Sequence, residues 1–259
     1  MTRVGNAGHP EPLVLARNTL TACPICQAPF ASSPRTVSVK DPFGVSSEAF
    51  TLMECGSCLT YVLNPRPSME QMGVFYESDF LLGTEVRGKS FIDRLAARQQ
   101  ELNLTSEIRW IQRHLPTNSN YLDYSAGNGQ IVEIVSRKRR DACVFATEFS
   151  SQYRHWIRRR IGDASLRASI DEFPTDLRFD LISAFGVLEH VEDPRTLLRQ
   201  LRQRLKTRGK LLLSVPNIDS LQRSIAGKRW YSWLAPRHWH LMNMRTLKRL
   251  LMEEGFEIE

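Results

Sequence analysis

The sequence predicts an α/β protein: a Rossmann-like, doubly wound, mostly parallel sheet preceded by a small zinc-ribbon-like module. Three observations carry that expectation. From residue 120 onward short apolar runs alternate with amphipathic segments, a glycine-bearing turn follows the first run, and two C-x-x-C pairs stand upstream. Strands alternating with helices imply βαβ crossovers, hence a parallel sheet covered on both faces. The 259 residues, 42% apolar and 24% charged, suit one large domain or a medium domain with a small companion. Five Trp and twelve Phe argue against disorder. No run of about 18 uncharged apolar residues is present, so no membrane span is expected. The opening MTRVGNAGHPEPLVLARNTL lacks an apolar core and a small-residue cleavage site, so it does not read as a secretory signal. A cytoplasmic location with reduced thiols follows as the expectation.

Residues 1–20, with Gly, Pro and Asn, read as a flexible lead-in. Residues 21–64 read as the zinc module. Cys23-Pro-Ile-Cys26 and Cys55-Gly-Ser-Cys58 are separated by 28 residues that alternate apolar and polar around an Asp41-Pro42-Phe43-Gly44 turn. Two sulfurs three positions apart on a tight turn can face one ion, and two such turns complete a tetrahedron. Pro24 and Gly56 supply turn chemistry inside the knuckles. Four thiolates leave no open position, so the expected Zn²⁺ is structural. Disulfides are disfavoured by compartment, and a redox C-x-x-C needs no duplicate. Cys143, in an apolar run, reads as a buried core thiol.

Residues 65–119 read as a helical linker. Asn64-Pro65-Arg66-Pro67 is a stiff exit, and Ser68 is suited to cap a helix starting at Met69. Residues 91–115 carry Ile108, Ile111 and Leu115 at helical spacing, and Pro116 ends them. Residues 120–259 then read as one cofactor-binding domain. Strands are expected at 121–124, 142–147, 166–169, 179–185 and 211–215, the last of them buried. Helices are expected after 129 (Ile131, Ile134 and Val135 on one face), at 151–161, through Leu197, Leu198, Leu201 and Leu205, and at 246–254.

In such a sheet the ligand binds beyond the carboxyl ends of the strands. The first turn is Asp123-Tyr124-Ser125-Ala126-Gly127-Asn128-Gly129, and Glu148 stands at the tip of the second strand, placed to accept hydrogen bonds from a ribose. A dinucleotide fingerprint fails because Val132 occupies the place of the third glycine, and no Gly-Lys-Ser/Thr follows for a P-loop. An acidic residue opening the loop suits an ammonium group better than a pyrophosphate. That points to S-adenosylmethionine.

Asp123 to Gly129 resembles the D-x-G-x-G-x-G loop of class I S-adenosylmethionine-dependent methyltransferases, with Ser125 replacing the first glycine. Phe179-Asp180-Leu181-Ile182 and Val187-Leu188-Glu189-His190-Val191-Glu192-Asp193-Pro194 are similar to the family's fourth strand and following turn. Leu205-Lys206-Thr207-Arg208-Gly209-Lys210 resembles its turn into the fifth strand, and Pro236-Arg237-His238-Trp239-His240 a pattern of its small-molecule branch. The cysteine module with Asn-Pro-Arg-Pro and Phe75-Tyr76 resembles members that modify sugars, polysaccharides or secondary metabolites. The resemblance implies that Asp123, Ser125, Gly127, Gly129, Glu148 and Phe185 contact the cofactor and that Tyr76 closes over it. It places His190 near the transferred methyl group and His238 and His240 over the acceptor, as base or orienter. Trp230, Trp233 and Trp239 either wall an acceptor pocket or pack ordinarily. Ser125 is expected to weaken cofactor binding without abolishing it. The chain stops where the family's sixth strand would begin, so the sheet is expected to be incomplete at its C-terminal edge, through truncation or completion by another chain.

The expected acceptor is a small molecule: a sugar, glycan precursor or related metabolite. An rRNA or tRNA base methyltransferase with a zinc module is the alternative, favoured by a net charge of +7. It is disfavoured by the long gap between knuckles. The basic runs 137–140, 158–160 and 199–210 fall toward expected helix ends, where cations complement the macrodipole. A catalytically weak scaffold is the third reading, raised by Ser125 and the missing strand.

Overall fold

The computed structural model describes residues 16–76 and 91–259, apart from the side chains of residues 91–97, 99 and 100. Most of the expected lead-in, and residues 77–90 of the expected linker, lie outside the described residues.

The N-terminal module is built from short antiparallel strands. β1 (Arg17–Asn18) precedes the first knuckle, and β2 (Thr36–Lys40) and β3 (Ala49–Glu54) form a hairpin. In its connection Asp41 accepts hydrogen bonds from the amides of Phe43 (3.1 Å) and Val45 (2.8 Å), and Gly44 adopts φ +70°. These are the requirements that Asp and Gly meet in a turn. β3 turns Phe50 and Leu52 inward by simple alternation. β4 (Tyr61–Leu63) follows the second knuckle, and β5 (Arg66–Pro67) returns to pair with β1. α1 (Met69–Tyr76) begins after Ser68, whose Oγ accepts from the Gln71 amide at 3.4 Å.

α2 (Phe91–His114) buries Ile111 and is stopped before Pro116. The chain then alternates. β6 (Asn120–Asp123), α3 (Gln130–Lys138), β7 (Cys143–Thr147), α4 (Ser151–Ile161), β8 (Leu166–Arg167), β9 (Phe179–Phe185), α5 (Pro194–Arg204) and β10 (Leu205–Ser214) succeed one another. α6 (Leu221–Ala226), β11 (His240–Leu241) and α7 (Met244–Glu253) complete the described strands and α-helices. The five strands lie in the order β10-β9-β6-β7-β8, every pair parallel. The order reverses between β6 and β9, and a ligand crevice opens at the carboxyl ends of such a pair.

Each face of this sheet has its own core. Ile111 of α2, Val132 and Val135 of α3 and Ile157 of α4 cover one face. Leu197, Leu198 and Leu201 of α5 and Leu247 and Leu250 of α7 cover the other, in a cluster that also contains Cys23, Ile25, Cys55 and Cys58. The knuckles therefore pack into the same core as α5 and α7. β11 also adds to the module, pairing with β4 in the sheet β11-β4-β3-β2. Trp230, Trp233 and Trp239 are buried there with Phe50, Tyr61 and Leu63, which is ordinary packing.

Four expectations change. Cys143 is exposed, because it opens β7 at the strand's rim while Val144 and Ala146 take the inward places. α3 buries Val132 and Val135, with Ile131 and Ile134 at the margins. β10 starts at residue 205 and is half-buried, because among the described strands it pairs only with β9. Lys206 and Lys210 consequently lie on that strand and not at a helix end. Among the described residues no helix is long and apolar enough to cross a membrane.

Candidate active site and metal centre

The two knuckles share one backbone pattern. The amide of Cys23 donates to Ala28 O and that of Gln27 to Cys23 O; the amide of Cys55 donates to Thr60 O and that of Leu59 to Cys55 O. In each, the residue after the second cysteine takes positive φ, +60° at Gln27 and +61° at Leu59. The left-handed residue thus sits outside the C-x-x-C, and Gly56, expected to serve the turn, is not in that region. The Sγ atoms of Cys23 and Cys58 are 3.7 Å apart and those of Cys26 and Cys55 3.5 Å. A disulfide requires about 2.05 Å. Sulfurs bound tetrahedrally at about 2.3 Å lie about 3.8 Å apart. Spacing and donor set therefore fit a Zn²⁺ ion. The C-terminal region clasps the module: Thr246 Oγ1 donates to Cys58 O at 2.7 Å, and Arg195 Nη2 to Ile25 O at 2.8 Å.

At the switch point Asp123 ends β6 opposite Ser183 of β9. Ser183 accepts a hydrogen bond from Tyr121 (2.6 Å) and donates to Asp123 Oδ1 (2.7 Å). Oδ2 of Asp123 is buried and without a partner among the described residues. Burial raises this carboxyl to about 7. An unsatisfied carboxylate oxygen beside the loop fits the ammonium group of S-adenosylmethionine.

The loop itself turns sharply. Ser125 (φ +60°), Gly127 (φ +53°) and Gly129 (φ +73°) are all left-handed. A Cβ on Gly127 would meet nothing within 4 Å, so its backbone faces open space. A Cβ on Gly129 would lie 2.6 Å from Ile157 Cγ1. Helix packing is thus what this structure requires of Gly129. Glu148, buried at the tip of β7, accepts from the amides of Gly127 (2.8 Å) and Ser150 (2.9 Å), while Ser125 N donates to Thr147 Oγ1 (3.1 Å). Glu148 therefore already holds the loop, with burial raising its pKa. Phe185 ends β9, half-buried against the α3–α4 core.

Beyond β9 a second group of side chains converges. Tyr76, at the end of α1, places its hydroxyl 3.2 Å from His190 Nδ1 and packs edge-on to Phe149, at 5.6 Å between ring centroids. His190 and His238 have centroids 4.6 Å apart. Carbonyl oxygens only accept, so Arg237 O, 3.0 Å from His190 Nδ1, and Ser232 O, 2.7 Å from His238 Nδ1, require a proton on each Nδ1. Nε2 of both rings is left unprotonated. Burial keeps both rings neutral, lowering His190 to about 4 and His238 well below the ordinary range. Beside them Glu189, 2% exposed, has an Oε2 without a partner among the described residues, and burial raises its carboxyl to about 8.

Of the three expected histidines, His190 and His238 come together. His240 lies within β11, its Nε2 donating to Val191 O at 2.9 Å. Glu189 was not singled out in the sequence; a carboxylate inside the apolar run 187–191 was the available signal.

A parallel sheet of this order, with acidic residues at the tips of its first two strands and a glycine turn between them, is the architecture of class I S-adenosylmethionine-dependent methyltransferases. The chain belongs to the methyltransferase-domain family, whose model matches residues 90–259. Among solved structures it is similar to an S-adenosylmethionine-dependent methyltransferase from Thermotoga maritima (17% identity, TM-score 0.50, 65% of this chain and 78% of that one). It is also similar to the plantazolicin methyltransferase BpumL in complex with SAH (16%, 0.50, 72% and 77%). The glycopeptide N-methyltransferase MtfA aligns less closely (21%, 0.45, 60% and 84%). These likenesses concern the fold. No curated protein matches.

Proposed function

We propose that the protein transfers a methyl group from S-adenosylmethionine to a small-molecule acceptor: a sugar, glycan precursor or related metabolite. The observation that carries this reading is enclosure. The Tyr76 hydroxyl contacts His190 at 3.2 Å and His238 is 6% exposed, which favours a compact acceptor over a polymer at these rings. BpumL and MtfA, by their names, act on plantazolicin and a glycopeptide.

Asp123, Ser125, Gly127 and Glu148 would hold the cofactor, with Phe185, Phe149 and Tyr76 beside it and Gly129 keeping the loop against α4. The cofactor supplies an electrophilic methyl group on a sulfonium sulfur. The protein's part is alignment and exclusion of water. Asp123 Oδ2 would meet the ammonium group, and Glu148 the ribose hydroxyls through lone pairs left over from Gly127 and Ser150. His190 and His238 would orient the acceptor, and His240 would hold the segment in place through β11. Zn²⁺ on Cys23, Cys26, Cys55 and Cys58 would be structural, leaving residues 21–64 as a brace for the domain.

The test is methyl-labelled S-adenosylmethionine added with the enzyme to a cell extract divided by size. Label in the low-mass fraction supports the proposal. Label confined to RNA would replace it with the nucleic-acid alternative, and no cofactor binding in calorimetry would remove both enzyme readings.

A further inference from the structure

We infer that Glu189, His190 and His238 form a second, catalytic-side metal site for a first-row divalent cation, distinct from the four cysteines. One ligand atom from each of the three residues lies within 4.8 Å of the others. Three atoms so placed have a common point no more than about 2.8 Å from each, and metal–nitrogen or metal–oxygen bonds of about 2.0–2.2 Å need only small side-chain rotations from there.

The hydrogen bonding around the cluster matches a metal site better than a proton relay. Metal-binding histidines characteristically donate their far N–H to a backbone carbonyl, which fixes the tautomer and aims the free nitrogen. His190 does this to Arg237 O and His238 to Ser232 O. Glu189 contributes a buried oxygen, Oε2, that has no donor among the described residues. One ring nitrogen from each histidine and a carboxylate oxygen of Glu189 thus converge. Acceptors that converge in a buried place need a shared cation or a proton on Glu189 between them, and a metal ion that binds there displaces that proton. The backbone supports the arrangement from behind: Trp239 N donates to Glu189 O at 2.6 Å, tying the two segments that carry the ligands.

Two histidines and one carboxylate leave positions open on the ion, unlike four thiolates. An oxygen of the acceptor can take such a position, and coordination lowers the pKa of a bound hydroxyl. This consequence rests on the methyl-transfer reading and deepens it: the acceptor would be hydroxyl-bearing and methylated on oxygen. The binding site itself does not depend on that reading.

Zn²⁺ titrated by calorimetry into protein already carrying one equivalent should reveal a second site of unit stoichiometry. Glu189→Gln and His238→Asn, checked for folding by circular dichroism, should each weaken it more than about 100-fold, since loss of an outer hydrogen-bond partner alone costs about 10- to 100-fold. Cobalt titration of the unmodified protein gives a measurement free of folding effects. The first equivalent should bring intense thiolate-to-metal absorption, and the second only weak visible bands. Absence of a second site, its persistence in both variants, or thiolate absorption growing through the second equivalent would each overturn the proposal. Metal binding without methyl transfer would leave the site standing and sink the acceptor reading.

Discussion

Arg237 and Asp41 meet at 2.8 Å with both side chains fully buried, joining residues 196 positions apart in the chain. The guanidinium also donates through Nε to Phe75 O at 3.1 Å and lies 4.4 Å from the centroid of Phe43. One ion pair thus ties the module's hairpin turn and the end of α1 to the segment carrying His238. Removing one partner strands a buried charge, which costs about 3–5 kcal/mol. Asp41→Ala should therefore destabilise the protein by that amount in urea unfolding. The double replacement Asp41→Leu with Arg237→Met should recover much of the loss. Equal losses in single and double variants would show that the pair contributes only through its volume.

Ser125 holds φ +60° where the family loop has glycine. A left-handed backbone costs a non-glycine residue about 1–2 kcal/mol, partly offset by the greater flexibility glycine adds to the unfolded chain. Ser125→Gly should leave stability equal or raise it by up to about 1 kcal/mol, and should tighten S-adenosylmethionine binding. Weaker binding in calorimetry would mean that the hydroxyl contributes a contact.

Gly127 and Gly129 should respond differently to alanine. Gly129→Ala drives a methyl group into Ile157 and should lower stability by about 2 kcal/mol or more. Gly127→Ala meets no protein atom and should cost only about 1 kcal/mol from its positive φ, yet impair cofactor binding more. Melting temperatures read beside cofactor affinities separate the two effects, and a reversed pattern would refute the assignment.

Asp123, raised to about 7 from 3.8, keeps a proton in the folded protein that the unfolded chain releases between those values. Its contribution to stability therefore falls as pH rises from about 4 to about 7. Asp123→Asn should be relatively more stable at pH 8 than at pH 5. Cofactor affinity should rise about tenfold from pH 6 to pH 8 as the carboxylate ionises toward the ammonium group, and the variant should lose that dependence. A flat profile in the unmodified protein would place the ammonium elsewhere.

Removing the zinc proposed for the four cysteines should unsettle α5 and α7, because the knuckles share their core. In Cys55→Ser the thiolate-bound equivalent should disappear from metal analysis. Hydrogen exchange should then quicken in both helices while α3, on the opposite face, stays protected. Uniform exchange across the sheet would indicate that the module folds and unfolds with the whole domain.

Much of this architecture could be read before folding because the signals are local. α4 and β9 occupy the expected residues, since their apolar periods lie within single segments. The knuckles and the glycine turn are equally short-range. Cys143 was misread because an apolar run does not reveal which end of a strand meets solvent.

The sequence by itself determined the α/β class, the four-cysteine set and the acidic and glycine residues of the loop, all functions of near neighbours in the chain. Only the tertiary structure decided that β11 completes the module's sheet, that Thr246 caps Cys58 O from 188 positions away, and that Glu189 and His190 face His238. Those pairings arise from packing two cores against one sheet. Their energies come from burial and hydrogen bonding between segments remote in sequence, where no local period records them.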